Sequence, residues 1–188
     1  TSMSTNSDVV IIGGGVMGCA IAYNLAKEGL KPVVIEKSDV GGEASGSNGG
    51  GVRQSARNLK EMPLAMESIR LYGHLHEELD MDVEYVRQGN LRLCTSEEEM
   101  ESMRNSIESQ KSVGLELEML DRKQVLEINP HVGEKVIGAS YCPTDGHANP
   151  KATVNAYARV LSLDNTQPVY DELGRILLDQ RKYQLAHS

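Results

Sequence analysis

The sequence predicts an α/β fold that opens on a strand-helix-strand unit, and three observations predict it. Asp8-Val-Val-Ile-Ile12 is a short, almost wholly apolar, β-branched run that ends at Gly13, the pattern of a strand buried on both faces of a parallel sheet. From Gly15 the period changes: Gly18, Ile21, Ala22 and Leu25 fall at i, i+3, i+4 and i+7, so one helical face is expected to pack back on the sheet, with Gly29 as the stop. Pro32-Val-Val-Ile-Glu36 reads as a second buried strand, and strand, helix and strand within about 30 residues is the size of one right-handed crossover unit.

The rest of the chain carries charged, hairpin-and-helix sequence. Ser38 to Val52 is a polar, glycine-rich loop, too long for a simple connector and therefore expected to be functional. Asn58 to Leu79 reads as a helical stretch with Leu64, Ile69, Tyr72 and Leu75 on its apolar side and with a kink or late start at Pro63. Val83 to Thr95 has β character on both sides of Gly89-Asn90, which suits a type II′ hairpin. Ser96-Glu-Glu-Glu99 predicts a capping box for a helix burying Met100, Met103 and Ile107. A strand near Leu115 to Met119 precedes a second cap at Asp121-x-x-Gln124, whose helix ends at Asn129-Pro130. Val136 to Cys142 is a further strand. Asn149-Pro150 then pairs an N-cap with a proline at the first helical position, and that helix is expected to reach about Leu163. In the last segment Leu173, Ile176, Leu177 and Tyr183 stand at roughly helical spacing, interrupted by Gly174.

Composition narrows the function. The chain has 188 residues, with 19 Lys+Arg against 27 Asp+Glu and a net charge of −8, which disfavours nucleic acid as a partner. Apolar residues make up 39% and charged residues 24%, an ordinary globular balance. The longest mainly apolar run, Val9 to Cys19, falls short of the roughly 20 residues a membrane span needs. Thr1 to Ser7 lacks a basic region followed by an apolar one, so a cytoplasmic protein is expected. Cys19, Cys94 and Cys142 are far apart and join no histidine cluster, so neither a disulfide scaffold nor a metal site is expected. Of the 18 glycines, 11 fall between Gly13 and Gly51, and function is to be sought there.

Gly13-Gly14-Gly15-Val16-Met17-Gly18 fits G-x-G-x-x-G between a predicted strand and a predicted helix, which is the context that the pattern requires. Gly13 permits the tight turn, Gly15 lets backbone approach a pyrophosphate, and Gly18 lets helix and strand pack closely, while the helix N-terminus supplies N–H groups and partial positive charge. Glu36 closes the second strand, where its carboxylate can accept from both ribose hydroxyls and repel a 2′-phosphate, disfavouring NADP. Nicotinamide and flavin dinucleotides share this fingerprint, so the choice rests on the loop that follows.

Gly41-Gly-Glu-Ala-Ser-Gly-Ser-Asn-Gly-Gly-Gly-Val52 resembles the second signature of the FAD-dependent amino-acid and amine oxidoreductases, the superfamily of D-amino-acid oxidase, sarcosine oxidase and glycine oxidase. The resemblance covers roughly Asp8 to Leu161. It implies a Rossmann-like FAD-binding domain of the glutathione-reductase type with part of a mixed α+β substrate domain: residues 1–80 as the first part of the FAD domain, 81–143 as the partial substrate domain, and 144–188 as a return to the FAD domain with an atypical tail. It implies cofactor-binding roles for Gly13, Gly15, Val16, Met17, Gly18, Glu36, Lys37, Ser45, Ser47, Asn48, Gly49 and Gly50. Physically, Ser45, Ser47 and Asn48 can bond a pyrophosphate or ring heteroatoms, and Gly49 to Gly51 let backbone lie against a flat isoalloxazine. His147 is either a flavin or catalytic contact or, preferably, a turn residue capping a helix.

The resemblance ends before the later strands and glycine-rich segment of those flavoenzymes, so no catalytic residue can be named. Two readings follow. One is an FAD-dependent oxidoreductase passing hydride from an amine or amino acid to flavin; the other is a truncated dinucleotide-binding module, or one chain of a larger assembly, without turnover of its own. Either is compatible with self-association.

Overall fold

The computed structural model describes residues 7–161, together with the backbone of 167–170 and 176–184. The chain has an α/β fold, with elements β1 (Val9–Ile12), α1 (Val16–Lys27), β2 (Pro32–Glu36), α2 (Ala44–Ser47), β3 (Gly51–Val52), α3 (Met62–Tyr72), α4 (Leu75–Glu78), β4 (Asn90–Cys94), α5 (Glu97–Lys111), β5 (Glu118–Asp121), α6 (Arg122–Ile128), β6 (Gly138–Cys142), β7 (Gly146–His147), α7 (Pro150–Val160), β8 (Gln167–Tyr170) and β9 (Ile176–Gln184). They divide into two compact units. Of the described residues, the first takes those up to Gly50, His76–Glu84 and those from Asn149 on; the second takes Gly51–Leu75 and Tyr85–Ala148. Residues 51–75 pack with the second unit: Met62 lies in one apolar cluster with Cys94, Met103 and Cys142, and Val52 and Ile69 pack with Ala148.

In the first unit β1 and β2 run parallel, with Val10 opposite Val33 and Ile12 opposite Ile35, and α1 makes the crossover between them. The sheet order is β1-β2-β9-β8. β1 is not buried on both faces: Ile11 is buried, but Val10 is 56% and Ile12 82% exposed, because β1 ends the sheet and α1 covers one side. The inward stripe of α1 is Gly18, Cys19, Ala22 and Tyr23. Ile21, expected on that stripe, is exposed, since the helix is turned toward α7, where the Tyr23 and Tyr157 rings meet edge-on at 5.6 Å. Asn149 caps α7 by accepting the Ala152 N–H at 3.1 Å, and Pro150 stands in its first turn. α7 ends at Val160, short of Leu163.

The helical spacing of the tail is overridden. Ile176–Gln184 is a strand, with residues 181–184 antiparallel to β2, because an open strand edge offers hydrogen-bond partners to the backbone groups that face it. Leu173 and Gly174 lie outside the described residues.

The second unit is built on the antiparallel sheet β4-β6-β5. Side chains alternate across it: Cys94 and Cys142 face the cluster of Met100, Met103, Ile107, Leu115 and Leu117, while Leu91, Leu120 and Ala139 face Val125 and Val136. The expected hairpin at Gly89-Asn90 does not form. β4 pairs with β6 some fifty residues on, Val86 bridges to His147, and Gly89, at φ +84°, donates its N–H to the Asp145 carbonyl. Pro63 gives α3 its late start, and the helical stretch breaks at Gly73. Ile69 and Leu75 are buried as expected, but Leu64 is 75% exposed. Ser96 Oγ accepts the Glu99 N–H at 3.2 Å, and the Glu99 carboxylate reaches back to the Thr95 N–H at 2.6 Å. Asp121 and Gln124 form a full capping box. No helix among the described residues is long and apolar enough to cross a membrane.

A buried carboxylate ties this unit together. Asp145, fully buried, accepts the Gln54 N–H at 2.9 Å, the Ser55 N–H at 3.4 Å and the Ser55 hydroxyl. Removing it strands three donors away from water. Asp145→Ala is expected to lower the unfolding free energy by about 2–4 kcal/mol, read from urea denaturation; a loss below about 1 kcal/mol, the range of surface changes, would show that this network is dispensable.

Candidate functional site

The site grows out of the end of β1. Gly13 turns the chain at φ +104°, a conformation that L side chains rarely adopt, and its N–H donates to the Ile35 carbonyl at 2.7 Å. Gly15 is the N-cap of α1 and brings no capping side chain. A Cβ at Gly15 would stand 2.7 Å from Ser45 Oγ, and one at Gly18 would overlap the Gly13 carbonyl. The three glycines therefore let α1 begin directly against the strand end. The first-turn N–H groups of a helix lack intrahelical partners and carry its partial positive charge. Val16 and Met17 belong to this turn; the Val16 N–H is received by Ser45 Oγ at 3.0 Å, and Met17 is exposed.

Glu36 ends β2 beneath this turn, only 8% exposed. Its Oε2 accepts the Gly14 N–H at 2.6 Å, and its Oε1 accepts the Ser38 N–H at 3.0 Å and the Ser38 hydroxyl at 3.3 Å. Burial pushes the carboxyl up, but the N–H groups of Gly14, Ser38 and Lys37 and the Ser38 hydroxyl outweigh it and hold Glu36 below the usual carboxylate range. Burial and the Glu36 charge push the neighbouring Cys19 thiol up to about 11, which leaves it protonated and unreactive.

The loop after β2 is ordered by its own polar groups. It contains the turn of helix α2, and the Gly41 N–H donates to the Gly14 carbonyl at 3.0 Å. Asn48, which is exposed, donates to the carbonyls of Ala44 and Ser45, both at 3.0 Å, and accepts the Gly50 N–H at 2.8 Å, so its amide closes the turn. Ser47 and Gly49 are exposed, with open space around Gly49. Lys37 pairs with Glu43 at 3.3 Å, both largely exposed, a contact of little energetic weight. His147 does not cap the helix: it is a strand residue, paired through its backbone with Gly51 and Val86, and Asn149 does the capping.

The structure thus brings Gly13, Gly15, Val16, Gly18, Glu36 and Ser45 together. It also adds Gly14, Ser38 and Gly41, which the sequence patterns do not single out. Gly14 occupies a position where G-x-G-x-x-G accepts any residue; the run of three consecutive glycines is the signal that marks it. Among the described residues no group of three His, Cys, Asp or Glu side chains is placed to hold a metal.

The depressed Glu36 carboxyl carries a pH signature. A group held below its ordinary value, 4.5 for this carboxyl, stabilises the fold fully above that value and loses the contribution as pH falls through the folded-state value. The stability advantage of the wild type over Glu36→Gln is therefore expected to be constant near neutrality and to shrink on acidification below roughly pH 4.5. Urea unfolding of both proteins across that range checks it; an advantage independent of pH would show that the carboxylate is not held by these donors.

The chain that carries this turn is similar to known proteins over most of its length. The family model described as FAD dependent oxidoreductase matches residues 8–167. A chain of the opine oxidase from Rhizobium meliloti is 33% identical over 163 residues, 79% of this chain and 43% of that protein. Glycine oxidase from Geobacillus kaustophilus is 32% identical over 155 residues, 78% of this chain and 41% of that protein. The crystal structure of glycine oxidase from Bacillus cereus ATCC 14579 superposes with a TM-score of 0.74 at 33% identity, covering 82% of this chain and 43% of that one. The chain spans about two fifths of the length of these relatives. It belongs to the family of FAD dependent oxidoreductases.

Proposed function

We propose that the chain binds FAD and forms the dinucleotide-binding part of an oxidoreductase acting on an amine or amino acid. The observation that carries this reading is the cradle itself: backbone only from Gly13 to Gly15, a helix N-terminus behind it, and the ionised Glu36 at the end of β2. These residues fit the adenosine-pyrophosphate portion of FAD. With no Cβ at Gly15, a phosphate can approach the first-turn N–H groups of α1. Ser45 Oγ already accepts from Val16, so its own proton is available to a phosphoryl oxygen. Glu36 has lone pairs left for ribose hydroxyls, and its charge disfavours a 2′-phosphate.

FAD, when bound, supplies the hydride acceptor. The chain's own residues bind and orient. The first unit takes the role of the FAD domain and the second that of part of the substrate side. The names of the relatives, glycine oxidase and one chain of an opine oxidase, support a small amine or amino-acid substrate and leave room for a partner chain. That partner, or a second copy, belongs to the alternative reading of a module without turnover of its own, which the word subunit in the name of the opine oxidase relative supports. A cytoplasmic location is part of the proposal.

The visible spectrum of the purified protein and an FAD titration test the reading. A flavin spectrum, or uptake of added FAD with NADP rejected, is expected, and Glu36→Ala is expected to weaken FAD by about 1–3 kcal/mol. A colourless protein that ignores FAD and binds NAD would overturn it. Turnover of glycine, sarcosine or D-proline with a dye acceptor, at about 1–10³ s⁻¹, would identify an enzyme; flavin binding without turnover would identify the module.

A further inference from the structure

The peptide groups around Gly14 are engaged on both sides. Its N–H reaches Glu36 Oε2 at 2.6 Å across 22 residues of sequence. Its carbonyl receives the Gly41 N–H at 3.0 Å and faces the Cys19 thiol at 3.6 Å. A Cβ at position 14 would stand 3.1 Å from Glu36 Cβ, 3.2 Å from Cγ and 3.4 Å from Oε2, tighter than most real Cβ contacts. One residue therefore joins the acid at the end of β2 to the loop that carries α2, and a methyl group at its Cα would press on the Glu36 side chain and require it to shift by a few tenths of an ångström.

We infer that Gly14 is a positioning residue of the dinucleotide site, holding the Glu36 carboxylate and the Gly41–Gly50 loop in place before a ligand arrives. The inference rests on the dinucleotide reading for its purpose, not for its geometry. Glu36 is pinned at both oxygens, by Gly14 on one side and Ser38 on the other. A carboxylate so held cannot swing aside, and its negative charge faces whatever the ribose carries. Discrimination against a 2′-phosphate then depends on Gly14 as well as on Glu36.

Gly14→Ala and Ser38→Ala test this, with ADP and 2′-phospho-ADP as probes and amide hydrogen exchange of the ligand-free protein as an independent readout. In the wild type the Gly14 and Gly41 amides are expected to exchange on the order of 100-fold slower than open chain. In Gly14→Ala both become fast, ADP binds roughly tenfold more weakly, and the preference for ADP over 2′-phospho-ADP falls, a change that a merely structural defect would not produce. Should Gly14→Ala fail to fold, Ser38→Ala, which removes one hydroxyl from Glu36, carries the test with the same loss of preference at a smaller ADP penalty. Unchanged exchange and an unchanged ADP preference in the folded variants overturn the inference. Fast exchange at Gly14 and Gly41 in the wild type also overturns it. A wild type that binds neither FAD nor ADP overturns the functional reading alone, because the exchange readout still decides whether Gly14 holds the cradle.

Discussion

The first unit depends on how closely α1 approaches the end of β1. Gly18 lies against the Gly13 carbonyl with no room for a Cβ, and that contact places the helix N-terminus directly over the strand end. The same device recurs one loop later. Gly46 in α2 lies against the Gly41 carbonyl, again five residues earlier, so a second short helix starts as close to its own preceding turn. Gly18 and Gly46 thus meet the same steric requirement at two successive turns, and the two turns are joined by the Gly41–Gly14 and Val16–Ser45 hydrogen bonds.

How much of this is legible in the sequence follows the range of the interactions. Caps at Ser96, Asp121 and Asn149 and the β1-α1-β2 unit are readable because their partners lie within a few residues or within one crossover. Strand partners are not. The residues flanking Gly89-Asn90 look extended from either side, yet nothing local says that β4 prefers β6 to the segment just before it. In the same way Ile176–Gln184 has helical spacing but becomes a strand where β2 offers an edge. Exposure is the least readable quantity, since Ile12 and Leu64 are apolar by composition while their burial is decided by what packs on them.

The candidate site shows the same division. Gly13, Gly15, Gly18 and Glu36 are readable because each answers a steric or electrostatic demand of a known turn. Asn48 reads as a ligand-facing amide, and its N–H groups already bond Ala44 and Ser45 within its own turn, a local role that composition does not reveal. Gly14 and Ser38 escape because their partner, Glu36, is distant from Gly14 in sequence and because the pattern leaves their positions open.

The chain carries a net charge of −8, yet the proposed ligand is an anion, so attraction must be local. Lys37 contributes little, being exposed and engaged with Glu43. What remains is the N-terminus of α1, whose partial charge acts only within its first turn and is worth on the order of 1 kcal/mol to a nearby anion. An interaction of such short range is useful only if the anion comes to the helix end without a side chain in between. In the proposed reading, recognition at this site is therefore set by shape before charge: the glycines fix the distance, and Glu36, held by the same backbone, selects the sugar at the far end.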